Sequence, residues 1–166
     1  MTFHPQIWAA VLGMAILCMG GAVQAQSDES FGDQDHDRSA PIEIVSDTLD
    51  VDDENGVAVF TGNVVATQDD MLLEGQEVRA YYNEAGDIER IEAYEDVVFI
   101  SAGDRATGDE GTYYMDTEMV IMMGNVVVVR DGELSSKGDE ARINLATGRA
   151  QMAGRVRTIL TPQASE

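Results

Sequence analysis

The chain has 166 residues, 31 of them acidic and 10 basic, for a formal net charge of −21. A surface of that sign repels nucleic-acid phosphates, so DNA and RNA are excluded as partners. The length suits one domain after removal of a targeting segment, and the single cysteine, Cys18, falls inside that segment, which excludes disulfides, thiol catalysis and cysteine-held metals from the rest.

Residues 1–25 hold no Asp, Glu, Lys or Arg, and Ile7 to Met19 (IWAAVLGMAILCM) is continuously apolar. Small residues follow, with Val23 and Ala25 before the polar Gln26. This is the layout of a secretory signal peptide cleaved after Ala25, and the uncharged run falls short of the ~20 apolar residues that span a bilayer. Leu17 before Cys18 is too large for lipoprotein processing. Residues 26–40 (QSDESFGDQDHDRSA) are polar and acidic and are expected to form a disordered lead-in. Asp33, Asp35 and Asp37 mimic a calcium loop, but Arg38 and Ile44 stand where its Gly and Glu are required.

A repeat begins after Pro41. An apolar motif is centred on Gly62 (VFTGNVVATQ, 59–68), Glu95, Gly124 (IMMGNVVVVR, 121–130) and Gly154, at steps of 33, 29 and 30 residues. A second motif alternates with it, starting at Ser46, Gly75, Gly108 and Gly138. Four units of about thirty residues, each with two extended segments, predict stacked supersecondary structure. Two and four residues either side of each first-motif centre, fifteen of sixteen positions are apolar. In the second motif Thr48, Asp50, Glu77, Arg79, Glu110, Thr112, Glu140 and Arg142 alternate with mostly apolar neighbours. Period-two alternation means strands with one buried and one wet face. Turn signals stand at 53–56, 83–86 and 146–148, and Gly62 and Gly124 inside strands mark bends or bulges.

The expected fold is all-β: two facing antiparallel sheets or one rolled sheet around an apolar lining. By parity that lining takes Leu49 and Val51 from the first segment, Phe60 and Val64 from the second, and Val78 from the third. Val97, Phe99, Tyr113 and Met115 continue it, followed by Met122, Val126, Ile143 and Met152. Methionines and aromatics beside small residues give an adaptable surface on which acyl chains can lie.

Catalysis finds no support. Both histidines, His4 and His36, precede the patterned region, and the abundant carboxylates fall at repeated outward positions. We therefore expect no catalytic residue, no cofactor and no metal. Charge is uneven: residues 137–166 carry five basic and three acidic side chains, against five and 28 in the remainder.

Pro41-Ile-Glu-Ile-Val-Ser-Asp, Val59 to Gln68, Gly124-Asn-Val and Lys137-Gly-Asp-Glu-Ala resemble the periplasmic lipopolysaccharide-transport bridge proteins, the LptA/OstA-like family. The resemblance runs from about Ala40 to Pro162. It implies a slightly open β-jellyroll over 41–162, followed by a short tail at 163–166. Its implied role is to shield the lipid A acyl chains of lipopolysaccharide on transit from inner to outer membrane. It adds Ile42 and Ile44 to the lining. It also implies inner-membrane anchored and outer-membrane translocon partners built on the same roll, and head-to-tail self-association by strand addition at Pro41 to Val51 and Gly154 to Leu160. The alternative is a structural or adaptor β module of the cell envelope without lipid binding.

Overall fold

A computed structural model describes residues 31, 37, 39–130 and 134–160; the expected signal peptide and the tail lie outside the described residues. The strands are β1 (Glu43–Val45), β2 (Thr48–Asp52), β3 (Val57–Gln68), β4 (Met71–Tyr82), β5 (Ile88–Ser101), β6 (Asp104–Tyr114), β7 (Met119–Arg130), β8 (Leu134–Asn144), β9 (Arg149–Ala153) and β10 (Arg157–Leu160). All join one antiparallel sheet in which β3 to β8 follow one another as a meander. No helix occurs among the described residues.

Local chemistry sets the turns. Ala102 and Gly103, between β5 and β6, have φ of 47° and 89°, the left-handed pair that matches a hairpin turn to strand twist. Asn83 Oδ1 accepts the backbone N–H groups of Ala85 and Asp87 at 2.9 and 3.0 Å, closing the β4–β5 turn as an Asx side chain does.

A crease crosses the sheet at mid-strand. Register breaks fall between Thr61 and Val64, Glu74 and Glu77, Tyr94 and Val97, Thr107 and Glu110, and Met123 and Val126. On β3, β5 and β7 the chain bends through two successive left-handed residues: Gly62-Asn63, Glu95-Asp96 and Gly124-Asn125. On the intervening strands glycine is needed for space. A Cβ on Gly75 would lie 3.1 Å from the Tyr94 carbonyl oxygen, and one on Gly108 would lie 3.0 Å from that of Met123. The doubled Gly-Asn-Val-Val is therefore a bulge that preserves inward parity on both sides of the fold line.

Eight extended segments become ten strands because the first and last break at the crease. β1 and β2 pair with opposite halves of β3, and β9 and β10 with opposite halves of β8. Each long strand folds back at the crease, so the two half-sheets pack on one apolar core. Ile91 and Phe99 of β5 both belong to it, as do Met122 and Val126 of β7. The sheet does not close on itself among the described residues: β1 and β2 end it on one side, β9 and β10 on the other, and no pairing joins the two ends.

Leu49 and Val51 correct the parity reading. They pair opposite Phe60 and Ala58 and so share the inward face, yet they are 56% and 57% exposed. Parity gives a direction; burial also needs a facing layer, and β2 lies at the end of the roll where none covers it. The last repeat behaves likewise, with Ala150, Val156 and Thr158 exposed.

Candidate functional site

The two half-sheets leave a cleft on the side opposite the crease. Ala66, Met71, Leu73 and Phe99 line it from one half, and Ile91, Tyr113 and Met115 from the other, with Ile42 at the edge. Period-two parity puts Leu73, Phe99, Ile91 and Tyr113 on the inner face, and the turn at Asp69-Asp70 sets the pairing of Gln68 with Met71 that brings Met71 alongside them. The cleft is narrow, with a cavity volume of about 30 Å³. It adjoins a wider groove of about 530 Å³ bordered by Ala40, Gln68, Tyr82, Asp87 and Ile88, sharing Ile42, Tyr113 and Met115 with it.

Among the described residues the cleft lining carries no ionisable group except the Tyr113 phenol. The buried Gln68 amide donates from Nε2 to the Ala40 carbonyl oxygen at 3.0 Å, which satisfies it at the rim. Such a surface matches an alkyl chain in chemistry and not a charged headgroup, because an unpaired ion would lose its hydration there.

Of the fifteen expected lining residues, Val64, Val78, Val97, Phe99, Tyr113, Met122, Val126 and Ile143 are buried. Ile42, Ile44, Phe60, Met115 and Met152 are half-buried against the core. Only Ile42, Phe99, Tyr113 and Met115 border the cleft; Val78, Met122, Val126 and Ile143 are 0% exposed and act as closed core. Met71 and Leu73 escaped the sequence reading because Met71-Leu72-Leu73 is continuously apolar and masks the alternation.

Phe31 was also missed. It comes from the segment expected to be a disordered lead-in, yet it is 0% exposed. Its ring stacks on Phe99 with centroids 6.4 Å apart and planes 15° off parallel. Its backbone N–H donates to the Gly148 carbonyl oxygen at 2.6 Å. The available signal was compositional: Phe31 is the one large apolar residue in that acidic run.

Charge is handled on the outer face. Arg79 Nε donates to Glu77 Oε1 at 2.7 Å and its guanidinium lies 4.9 Å from the Tyr94 ring centre. Arg90 Nε donates to Glu92 Oε1 at 2.9 Å while the guanidinium covers Tyr81 at 3.7 Å, a cation–π distance. Tyr94 Oη donates to Glu92 Oε2 at 2.8 Å. Burial raises the Glu92 carboxyl, but bonds from Arg90, Tyr94 and Tyr81 outweigh it and hold the group below its ordinary value of 4.5. Burial, then the Glu92 bond, pushes the Tyr94 phenol up to about 12.

Residues 43–149 match the family described as LptA/(LptD N-terminal domain) LPS transport protein. A Rhizobium meliloti protein, the uncharacterized R00383, is 31% identical over 165 residues, covering 93% of this chain and 88% of its own. The lipopolysaccharide export system protein LptH of Pseudomonas aeruginosa is 30% identical over 103 residues, 58% of this chain and 59% of that protein. The crystal structure of LptH, described as the LptA-homologous periplasmic component of the lipopolysaccharide transport device of that organism, superposes with a TM-score of 0.71 at 21% identity. It covers 76% of this chain and 99% of that one, and at that identity it establishes the shared fold.

Proposed function

The chain belongs to the family of LptA and LptD N-terminal-domain lipopolysaccharide transport proteins, and on that premise we propose that it is a periplasmic bridge that shelters acyl chains of lipopolysaccharide between the inner and outer membranes. The observation that carries this reading is the apolar cleft between the half-sheets, joined to an open groove through Ile42, Tyr113 and Met115. A chain of a dozen carbons gains about 10 kcal/mol if fully buried, at about 0.8 kcal/mol per methylene. A carrier must release its load, so a narrow cleft beside an open groove suits partial shelter better than a sealed cavity.

The same reading makes the two ends of the sheet docking edges for proteins built on the same roll, and it assigns no chemistry to the carboxylates. Photo-crosslinking tests it. A photoreactive phenylalanine at position 99 or 113 should capture lipopolysaccharide in cells, and one at the outward Arg79 should not. Capture at Arg79 with none at the interior would overturn the carrier role; assembly with other envelope proteins without any adduct would favour the adaptor module.

A further inference from the structure

Phe31 belongs to no strand, yet both half-sheets hold it. Phe99, its stacking partner, lies beyond the crease on β5, and Gly148, which accepts its N–H, lies in the turn between β8 and β9 at the free end of the other half. The sequence around it, Ser27-Asp-Glu-Ser-Phe-Gly-Asp, is polar and acidic, so the ring alone favours the interior. Phe99 also lines the cleft. One side chain thus faces both the place where an acyl chain would lie and the ring already beside it.

Size decides what this means. At about 30 Å³ the cleft has room for only two or three waters, since one water-sized sphere needs about 10–15 Å³. An alkyl chain cannot enter without moving something. The flanking strands are held by ladder hydrogen bonds along their length, whereas Phe31, though packed in the apolar core, belongs to no ladder and has one backbone bond and one ring contact among the described interactions. It can therefore leave without breaking the sheet, although it is fully buried in the apolar core.

We propose that Phe31 is an intramolecular substitute for an acyl chain: it fills the apolar position beside Phe99 in the empty protein, and a lipid chain must expel it to bind. This rests on the carrier reading above. The plug keeps the interior dry between loads and lowers apparent affinity in proportion to the fraction of molecules in which it is seated, which aids release.

The test uses the protein purified from the periplasm and purified lipopolysaccharide; residues 26–166 contain no tryptophan, so an introduced one reports alone. Phe31→Trp should emit as a buried indole and shift to the red as lipopolysaccharide is added. Phe31→Ala should bind lipopolysaccharide about tenfold more tightly, as expected when a competitor for the site is removed. The Phe31→Trp variant keeps an aromatic ring in place, so it reports even if the Phe31→Ala variant folds poorly. A photoreactive group at Tyr113 separates the failures. Capture at Tyr113 with unchanged indole emission from the Phe31→Trp variant would make Phe31 a permanent core residue and overturn the plug while the carrier reading stands. No capture at Tyr113 would remove the carrier reading and the plug with it.

Discussion

Asn125 donates its side-chain amide to Asp109 Oδ2 at 2.8 Å across the crease. Asn63 repeats the bond with Asp47 at 3.0 Å. Asp139 stands in the equivalent place beside Gly154. One motif supplies the left-handed Gly-Asn bend and the other supplies, on the neighbouring strand, the aspartate that braces it. The interleaving of the two repeats is thus the covalent record of the fold line.

Gly124 tests that brace. Its φ is +73°, and a Cβ there would collide with the Asp109 carboxylate. Gly86 has φ +86° with nothing within 4 Å. Left-handed backbone costs a side-chain-bearing residue about 1–2 kcal/mol, so Gly86→Ala should lose about 1 kcal/mol in urea unfolding. Gly124→Ala should lose about 3 kcal/mol, the excess being steric crowding of the kind that costs about 1–3 kcal/mol. Equal losses would show that Asp109 moves aside freely.

Tyr94 predicts an alkaline transition. Its phenol is held protonated up to about 12, whereas an unfolded tyrosine ionises near 10. A raised folded-state pKa gives stability that is fully present below the unfolded value and is lost as pH rises through the folded one. Stability should therefore fall between about pH 10 and pH 12, and Tyr94→Phe should flatten that fall. Absorbance titration of phenolate against chemical unfolding at each pH checks both. The lowered Glu92 acts with the opposite sign: its contribution is present above the ordinary carboxylate value and is lost as pH falls through its depressed one.

Parity and spacing made the strands, the bulges at Gly62 and Gly124 and most of the buried set legible in the sequence. Val64, Val97 and Met122 are where alternation puts them, because direction is a property of the local backbone. Leu49 and Val51 are not buried, because cover is a property of the layer opposite, which a one-dimensional pattern does not encode. The cleft was legible only as a lining in general. Its particular members depend on which strand ends converge when the sheet folds; Met71 joins them through its pairing with Gln68, and Phe31 reaches its place against Phe99 through tertiary packing.

Ser101 offers a change that should not hurt. It is 1% exposed, and its hydroxyl finds no hydrogen-bond partner among the described residues. An unpaired buried hydroxyl costs about 1–3 kcal/mol, so Ser101→Ala should leave stability unchanged or raise it by about 1 kcal/mol. A loss above about 1 kcal/mol in thermal or urea unfolding would mean that the hydroxyl has a partner in the folded protein.

The two ends of the sheet carry opposite charge. β1 and β2 with their connection hold Glu43, Asp47, Asp50 and Asp52 and no basic residue, while 149–160 hold Arg149, Arg155 and Arg157 and no acidic one. Both ends also expose apolar side chains, with Val45 at 60%, Leu49 at 56%, Ile159 at 53% and Leu160 at 74%. β2 pairs only with β3 and β10 only with β8 among the described residues, leaving one ladder edge open on each. Unlike charges favour contact of one end with the opposite end of a second copy and disfavour like with like. Sedimentation at rising salt should show association weakening, since screening shortens the reach of exposed charges from about 30 Å at 0.01 M to about 3 Å at 1 M. Replacing Arg155 and Arg157 by Glu should weaken it about tenfold at low salt, and adding Asp50→Arg with Asp52→Arg should restore part of the loss through the reversed pairing. Association unmoved by salt or by charge reversal would leave apolar strand addition as its whole basis.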